Sequence, residues 1–120
     1  MSTEAELTVI EQLRDFLNGH HRNQWLLSTD DEMQVYVRHA HHLINGQPTE
    51  TLDIANVEVA TTGKGTFTRF LEMAERLNPH QAIFIENVMS ERFANYFRRR
   101  GWGEMPTNPP CFYRMSQHED

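Results

Sequence analysis

The stretch Val57-Glu58-Val59-Ala60-Thr61-Thr62-Gly63-Lys64-Gly65-Thr66-Phe67 decides how the rest of the chain is read. Val57 and Val59 close a β-type segment, two glycines permit a tight turn, and a helical pattern begins at once. Such a turn leaves backbone N–H groups unpaired at a helix N-terminus, which suits an anion such as a pyrophosphate. Lys64 adds a full positive charge. The same residues also read as an ordinary strand-to-helix turn, because Gly-x-Gly before a helix is a weak signal alone. Two stronger phosphate motifs are excluded. A Walker A loop would put its first glycine at Glu58, and Gly65 follows Lys64 where Ser or Thr is required. A dinucleotide fingerprint also fails: its third glycine would fall at Thr68, and the bulky Phe67 and Phe70 flank that place.

Downstream, Phe67, Phe70, Leu71, Ala74 and Leu77 fall on one helical face, and Asn78-Pro79 ends the helix. Gln81 to Glu86 is short and nearly all apolar, as a central buried strand should be. Ser90 caps a second helix with Phe93, Tyr96 and Phe97 on its apolar side, and Gly101 closes it. A Pro-rich bend from Met105 to Pro110 leads to a last strand, Cys111 to Met115. Upstream, Met33 to Ile44 and Thr49 to Ala60 are β-rich and flank the turn residues Asn45-Gly46-Gln47-Pro48, an antiparallel hairpin. The apolar parity changes between Leu52/Ile54 and Val57/Val59, which predicts a bulge near Ala55-Asn56. Thr3-x-x-Glu6 reads as a capping box for a helix whose stripe is Leu7, Ile10, Leu13 and Leu17, stopped by Gly19. Gln24 to Leu27 is a short apolar patch left unassigned. The order is α-β-β-α-β-α-β: one mixed α/β domain over residues 1–120.

The composition agrees with a single folded domain. The chain has 120 residues, 38% of them hydrophobic and 23% charged, which is neither a disordered nor a fibrous composition. No apolar run approaches the roughly 20 residues of a membrane span, and the first residues carry acids rather than the Lys or Arg of a signal peptide. The one cysteine, Cys111, excludes an internal disulfide framework and a Cys-only zinc site. A cytoplasmic protein with no membrane partner is expected. The formal charge of −6 argues against a nucleic-acid backbone as the main partner. Edge strands and surface aromatics allow a homodimer.

Strand, Gly-x-Gly, helix, strand, helix and Gly-aromatic, in this order, resemble the acyl-CoA-binding half of the GNAT acyltransferase superfamily. Gly63-Lys64-Gly65 sits where that family has its Arg-Gly-x-Gly-x-Gly/Ala pyrophosphate loop. Ile85-Glu86-Asn87, the helix from Ser90 to Arg100 and Gly101-Trp102 resemble the family's Val-Asn…Phe-Tyr…Gly-Phe segment. Cys111-Phe112-Tyr113-Arg114-Met115 is similar to its aromatic-aromatic-x-Met final strand. The likeness covers about residues 49 to 116. Departures are Thr62 in the place of Gln or Arg, Phe67 in the place of the last Gly or Ala, and Phe97 in the place of a common Tyr. The family's first strand is missing or replaced.

The resemblance implies a GNAT-like α/β domain: a central mixed sheet with helices on both faces, an acceptor-side part over 1–48 and an acyl-CoA-binding part over 49–116. It implies an acyl-CoA-dependent N-acyltransferase that uses acetyl-CoA as co-substrate and needs no metal. The acceptor would be an amine, attacking the thioester directly in a ternary complex. The alternative is a GNAT-fold binding or interaction module without chemistry. Backbone N–H groups of Thr62, Gly63, Lys64, Gly65, Thr66 and Phe67 are expected on the pyrophosphate. The main chain of Val57 to Val59 is expected to pair with the pantetheine, and Asn87 to bond its amide from the other side.

An attacking amine must lose a proton, so a base is needed. Asp53 and Glu86 stand near the places where family members carry a carboxylate; Glu58, flanked by valines, is a third acid facing the other side of the sheet. Tyr96, one position before Phe97, and Tyr113 could protonate the leaving thiolate. His39 and His41 share one strand face and His42 takes the other, but without a Cys pair or an acid at ligand spacing they read as strand histidines rather than metal ligands. Arg98-Arg99-Arg100 complements a helix C-terminus.

Overall fold

The computed structural model describes residues 3–61 and 65–117, so Thr62, Gly63 and Lys64 lie outside the described residues. The first helix, α1 (Glu4–Asn18), opens on the expected capping box: Glu6 N–H donates to Thr3 Oγ1 at 3.1 Å, and the Glu6 carboxylate accepts from Thr3 in return. It buries Val9, Ile10, Leu13 and Phe16. Leu7, expected on that stripe, is 52% exposed, because the buried face is centred on Val9, Leu13 and Phe16 instead. The unassigned apolar patch is an edge strand, β1 (Asn23–Leu27), of which only Leu26 is buried.

Strands β2 (Met33–Ile44) and β3 (Gln47–Val59) form the predicted hairpin. Its two-residue turn has Asn45 at φ 51° and Gly46 at φ 77°, and two positive values are what the strand twist asks of such a turn. Tyr36 faces Asn56 while Val37 faces Ile54, so Ala55 is the extra residue of a bulge. The bulge keeps Leu52 and Ile54, and then Val57 and Val59, on one face of the sheet.

The chain continues through α2 (Thr66–Leu77), β4 (Ala82–Ile85), α3 (Glu91–Arg99), β5 (Gly103–Met105) and β6 (Cys111–Met115). The six strands lie in the order β1-β2-β3-β4-β6-β5, with β3 and β4 parallel and the other neighbours antiparallel. Sequence alone offers no sign of β5. Gly103 is admitted there because a Cβ would come within 2.2 Å of the Tyr113 ring.

Phe16 stacks on His39 of β2 at 4.3 Å, Phe97 stacks on Phe112 of β6 at 5.2 Å, and Glu75 of α2 meets Arg114 of β6 at 3.1 Å. By register, His39, Phe112 and Arg114 share a face with Val37, Leu52, Ile54, Ile83 and Ile85. All three helices thus cover one face, where cover on both was expected. The topology gives the reason: the crossovers through α2 and α3 step the same way across the sheet, and right-handed crossovers in one direction put their helices on one side. The opposite face carries Arg38, His42, Asp53, Phe84 and Tyr113. Among the described residues no helix is long and apolar enough to cross a membrane.

Candidate functional site

The parallel pairing of β3 and β4 runs from Thr51 and Ala82 to Ile54 and Ile85. One more link follows, Glu86 N–H to the Ile54 carbonyl at 3.1 Å, and then the chains part. β3 continues to Val59 paired with β2, while Asn87 takes a left-handed φ of 49° and Val88 N–H bonds the Pro110 carbonyl beside β6. The bulge at Ala55 adds local twist at the same level. These turns open a split in the sheet, with one backbone edge of β3 facing it.

A groove of about 520 Å³ lies at this split on the helix-covered side. Val57, Val59 and Thr61 form one wall; Gly65, Thr66, Phe67 and Thr68 at the start of α2 form the second; Ser90, Phe93 and Tyr96 form the third. Gly65 is the cap residue of α2, at φ 74°, and among the described residues no side chain caps this helix end. Its first-turn N–H groups therefore have no side-chain acceptor at the cap. Phe67, Phe93 and Phe97 pack their rings together beneath the groove, with centroids 4.8 to 6.4 Å apart. Phe97 is fully buried against Phe112 and Trp102. One position earlier, about 100° round the helix, Tyr96 lines the groove, and its hydroxyl meets Thr68 Oγ1 at 2.8 Å. The Arg100 guanidinium covers the Tyr96 ring at 3.6 Å.

On the other side of the split stands a charged group. The Arg38 guanidinium pairs with Glu86 and lies 3.9 Å from Asp53. Asp53 has no exposed side-chain surface; its Oδ2 lies 2.6 Å from His42 Nε2, and its Oδ1 accepts from Thr51 Oγ1 at 2.5 Å. Burial pushes the Glu86 carboxyl above the ordinary carboxylate value, and the charge of Asp53 and a hydrogen bond with it add to the rise, against the pull of Arg38. His42, Asp53 and Glu86 bring ligand-type atoms within 4.8 Å of one another, but Arg38 already supplies the positive charge at that place.

The structure thus brings Glu86 and Asp53 together, and sets Val57, Val59, Gly65, Thr66, Phe67 and Tyr96 around one groove. Tyr113 is elsewhere: it faces Phe84 on the sheet face opposite the helices, against Gly103, and shares nothing with Tyr96. Asn87 is exposed at the mouth of the split, with its N–H on Cys111 Sγ at 3.4 Å. Glu58 is exposed. Thr62, Gly63 and Lys64 lie outside the described residues. Arg38, His42 and Thr68 were not singled out for the site. Counting back from the Asn45-Gly46 turn puts Arg38 opposite Asp53, so that one signal was present in the chain.

No family model matches the chain, and no curated protein does. Solved structures do. One is the KacTA–DNA complex, 13% identical, with a TM-score of 0.62 over 88% of this chain and 80% of that one. Another is a Tyr-to-Phe mutant of the AtaT toxin bound to the C-terminus of the antitoxin AtaR and to acetyl-CoA, 12% identical, with a TM-score of 0.61 over 87% and 73%. The first corrects an expectation drawn above: a protein of this shape occurs in a complex with DNA, so nucleic acid is not excluded as a partner. Net charge sums over a whole chain, whereas contact with phosphates needs only a local basic surface, on this chain or on another in the assembly. A mixed sheet split between its two parallel strands, matched by these neighbours over most of its length, gives this protein a GNAT-like α/β fold.

Proposed function

We propose that the protein is an acyl-CoA-dependent N-acyltransferase that takes acetyl-CoA as donor and an amine as acceptor. The observation that carries this is the groove of about 520 Å³ running from the α2 N-terminus to the split between β3 and β4. Its apolar walls suit a pantetheine arm, the free edge of β3 offers main-chain partners near Val57 and Val59, and the uncapped end of α2 suits a pyrophosphate. That a neighbour of this fold is bound to acetyl-CoA supports the same reading. A thioester in the split is open from the far face, where Glu86 stands as base, and a backbone N–H near Val59 would polarise its carbonyl. Transfer is direct, with the amine attacking the thioester and the thiolate leaving. Cys111, the only thiol, has Asn87 and Thr107 as partners rather than a histidine that could activate it. Tyr96, already in the groove, is the candidate proton donor to the leaving thiolate.

Calorimetric titration with acetyl-CoA, with and without a chelator, followed by thiol release with a panel of amines, tests the reading. Binding that ignores the chelator and release that needs the amine are expected. Absence of binding would overturn it. Binding without release favours the non-catalytic module, a reading that Phe97 in the core and the Tyr96 hydroxyl engaged by Thr68 also favour.

A further inference from the structure

We propose that His39 and His80 form a two-imidazole site for a divalent ion of the copper and nickel class, with the Glu50 carboxylate behind His80. The inference is independent of the acyltransferase reading. His39 Nδ1 and His80 Nε2 lie 2.8 Å apart, with their ring planes at 82°. Two nitrogens each about 2.0 Å from one ion subtend a right angle at that separation, whereas a tetrahedral pair would stand roughly 3.3 Å apart. Right-angled imidazole pairs suit the tetragonal geometry of copper(II) and nickel(II). When His39 carries its proton on Nε2 and His80 on Nδ1, two lone pairs converge on one point. Water completes the shell of the ion.

Both rings are held before any ion arrives. His39 stacks on Phe16 at 4.3 Å, and its main-chain N–H donates to the Arg22 carbonyl at 3.0 Å. His80 N–H donates to Asn78 Oδ1 at 3.0 Å, and its carbonyl accepts from Ser116 Oγ at 2.8 Å. The outer nitrogen of His80, Nδ1, faces Glu50 Oε2 at 3.9 Å. A carboxylate in that place fixes the tautomer of a ligand histidine and raises its basicity. Glu50 is itself anchored by Gln81, which accepts from its N–H at 2.9 Å and donates to its carbonyl at 3.0 Å. The strand pattern placed His39 and His41 on one face but not their partner, since His80 comes 41 residues after His39. His80 precedes the start of β4 and Glu86 follows its end, so the ion would tie β2 to the α2–β4 link and stay clear of the split.

Calorimetric titration of untagged, chelator-stripped protein with nickel chloride at neutral pH tests this. One equivalent should bind. Glu50→Gln keeps both imidazoles and should weaken binding by about 10-fold, and His39→Gln and His80→Gln should weaken it further. Copper(II) in equal amount should show coupling to two nitrogens by electron paramagnetic resonance in the parent, and to one in His80→Gln. Saturating nickel should raise the parent Tm by about 5 °C or more and leave that of His80→Gln in place. Circular dichroism without metal checks folding, and His80→Gln carries the test alone if His39→Gln does not fold. Absence of saturable binding, or parent-like affinity in His80→Gln, would overturn the proposal. So would binding lost in a His20→Gln, His21→Gln protein, which would assign the ion to that exposed loop pair.

Discussion

The groove beside α2 and α3 is walled by Val57, Val59, Phe67 and Phe93, whereas the far side of the same split carries Arg38, His42, Asp53 and Glu86. The first region offers volume, apolar surface and main-chain groups, none of which depends on one particular side chain. The second depends on which residue stands where, because each ion pair and hydrogen bond in it needs its own partner. Main-chain groups and apolar walls tolerate a change of side chain. A charged cluster has no such tolerance.

The largest effect should come from the support beneath the groove. Phe97→Ala removes a fully buried ring packed on Phe67, Phe93, Phe112 and Trp102, and should cost about 3–5 kcal/mol in urea unfolding. A loss under about 1 kcal/mol would mean that the two helices do not share this core.

Next comes the far side of the split. Glu86→Gln should lower kcat/KM by about 10²-fold with acetyl-CoA affinity kept, as expected on loss of a general base. The base must be deprotonated, so parent activity should rise with pH through a midpoint displaced upward from ordinary carboxylates, as burial and Asp53 dictate. Equal activity of the two proteins would remove Glu86 from the chemistry.

Gly65→Val tests the groove side with a smaller effect. At φ 74° a β-branched residue is strained, and its Cβ would stand 3.0 Å from Arg69 Nη1. Acetyl-CoA affinity should fall by about 10-fold or more, a cost of 1.4 kcal/mol upward, read by calorimetry on protein shown to be folded. Parent-like affinity would place the pyrophosphate elsewhere.

The smallest effect lies remote from both regions. His80 Nε2 meets His39 Nδ1 at 2.8 Å, and burial, with the nearby His39, lowers the proton affinity of His80. The folded state then holds this proton less tightly than the unfolded chain does. Stability should be complete above the unfolded histidine value of about 6.5 and decline as the pH falls below it. His80→Gln should flatten that decline in thermal unfolding between pH 7 and about 5, and an unflattened profile would assign it to other groups.

Local chemistry made much of the fold readable from the chain. Asn45-Gly46 can adopt two successive positive φ values, so the hairpin was readable, although Gln47 and Pro48, read as turn, belong to β3. The parity change after Ile54 announced the bulge at Ala55, since alternation along a strand has a strict period of two. Thr3 and Glu6 declared the first helix end, and the aromatic stripe from Phe67 to Phe97 the helices around the groove. What the chain alone left undecided concerns contacts between distant segments. Strands β1 and β5 are short, and their place at the two edges follows from their neighbours rather than from their own residues. The gathering of the helices on one face follows from the direction of two crossovers, a property of the whole path. Asp53 and Glu86 were visible as separate acids, but only the parallel pairing of β3 with β4, and the arms of Arg38 and His42 reaching over from β2, gather them into one charged cluster. Charge effects of this kind act through space within a few ångströms, so only the folded arrangement decides them.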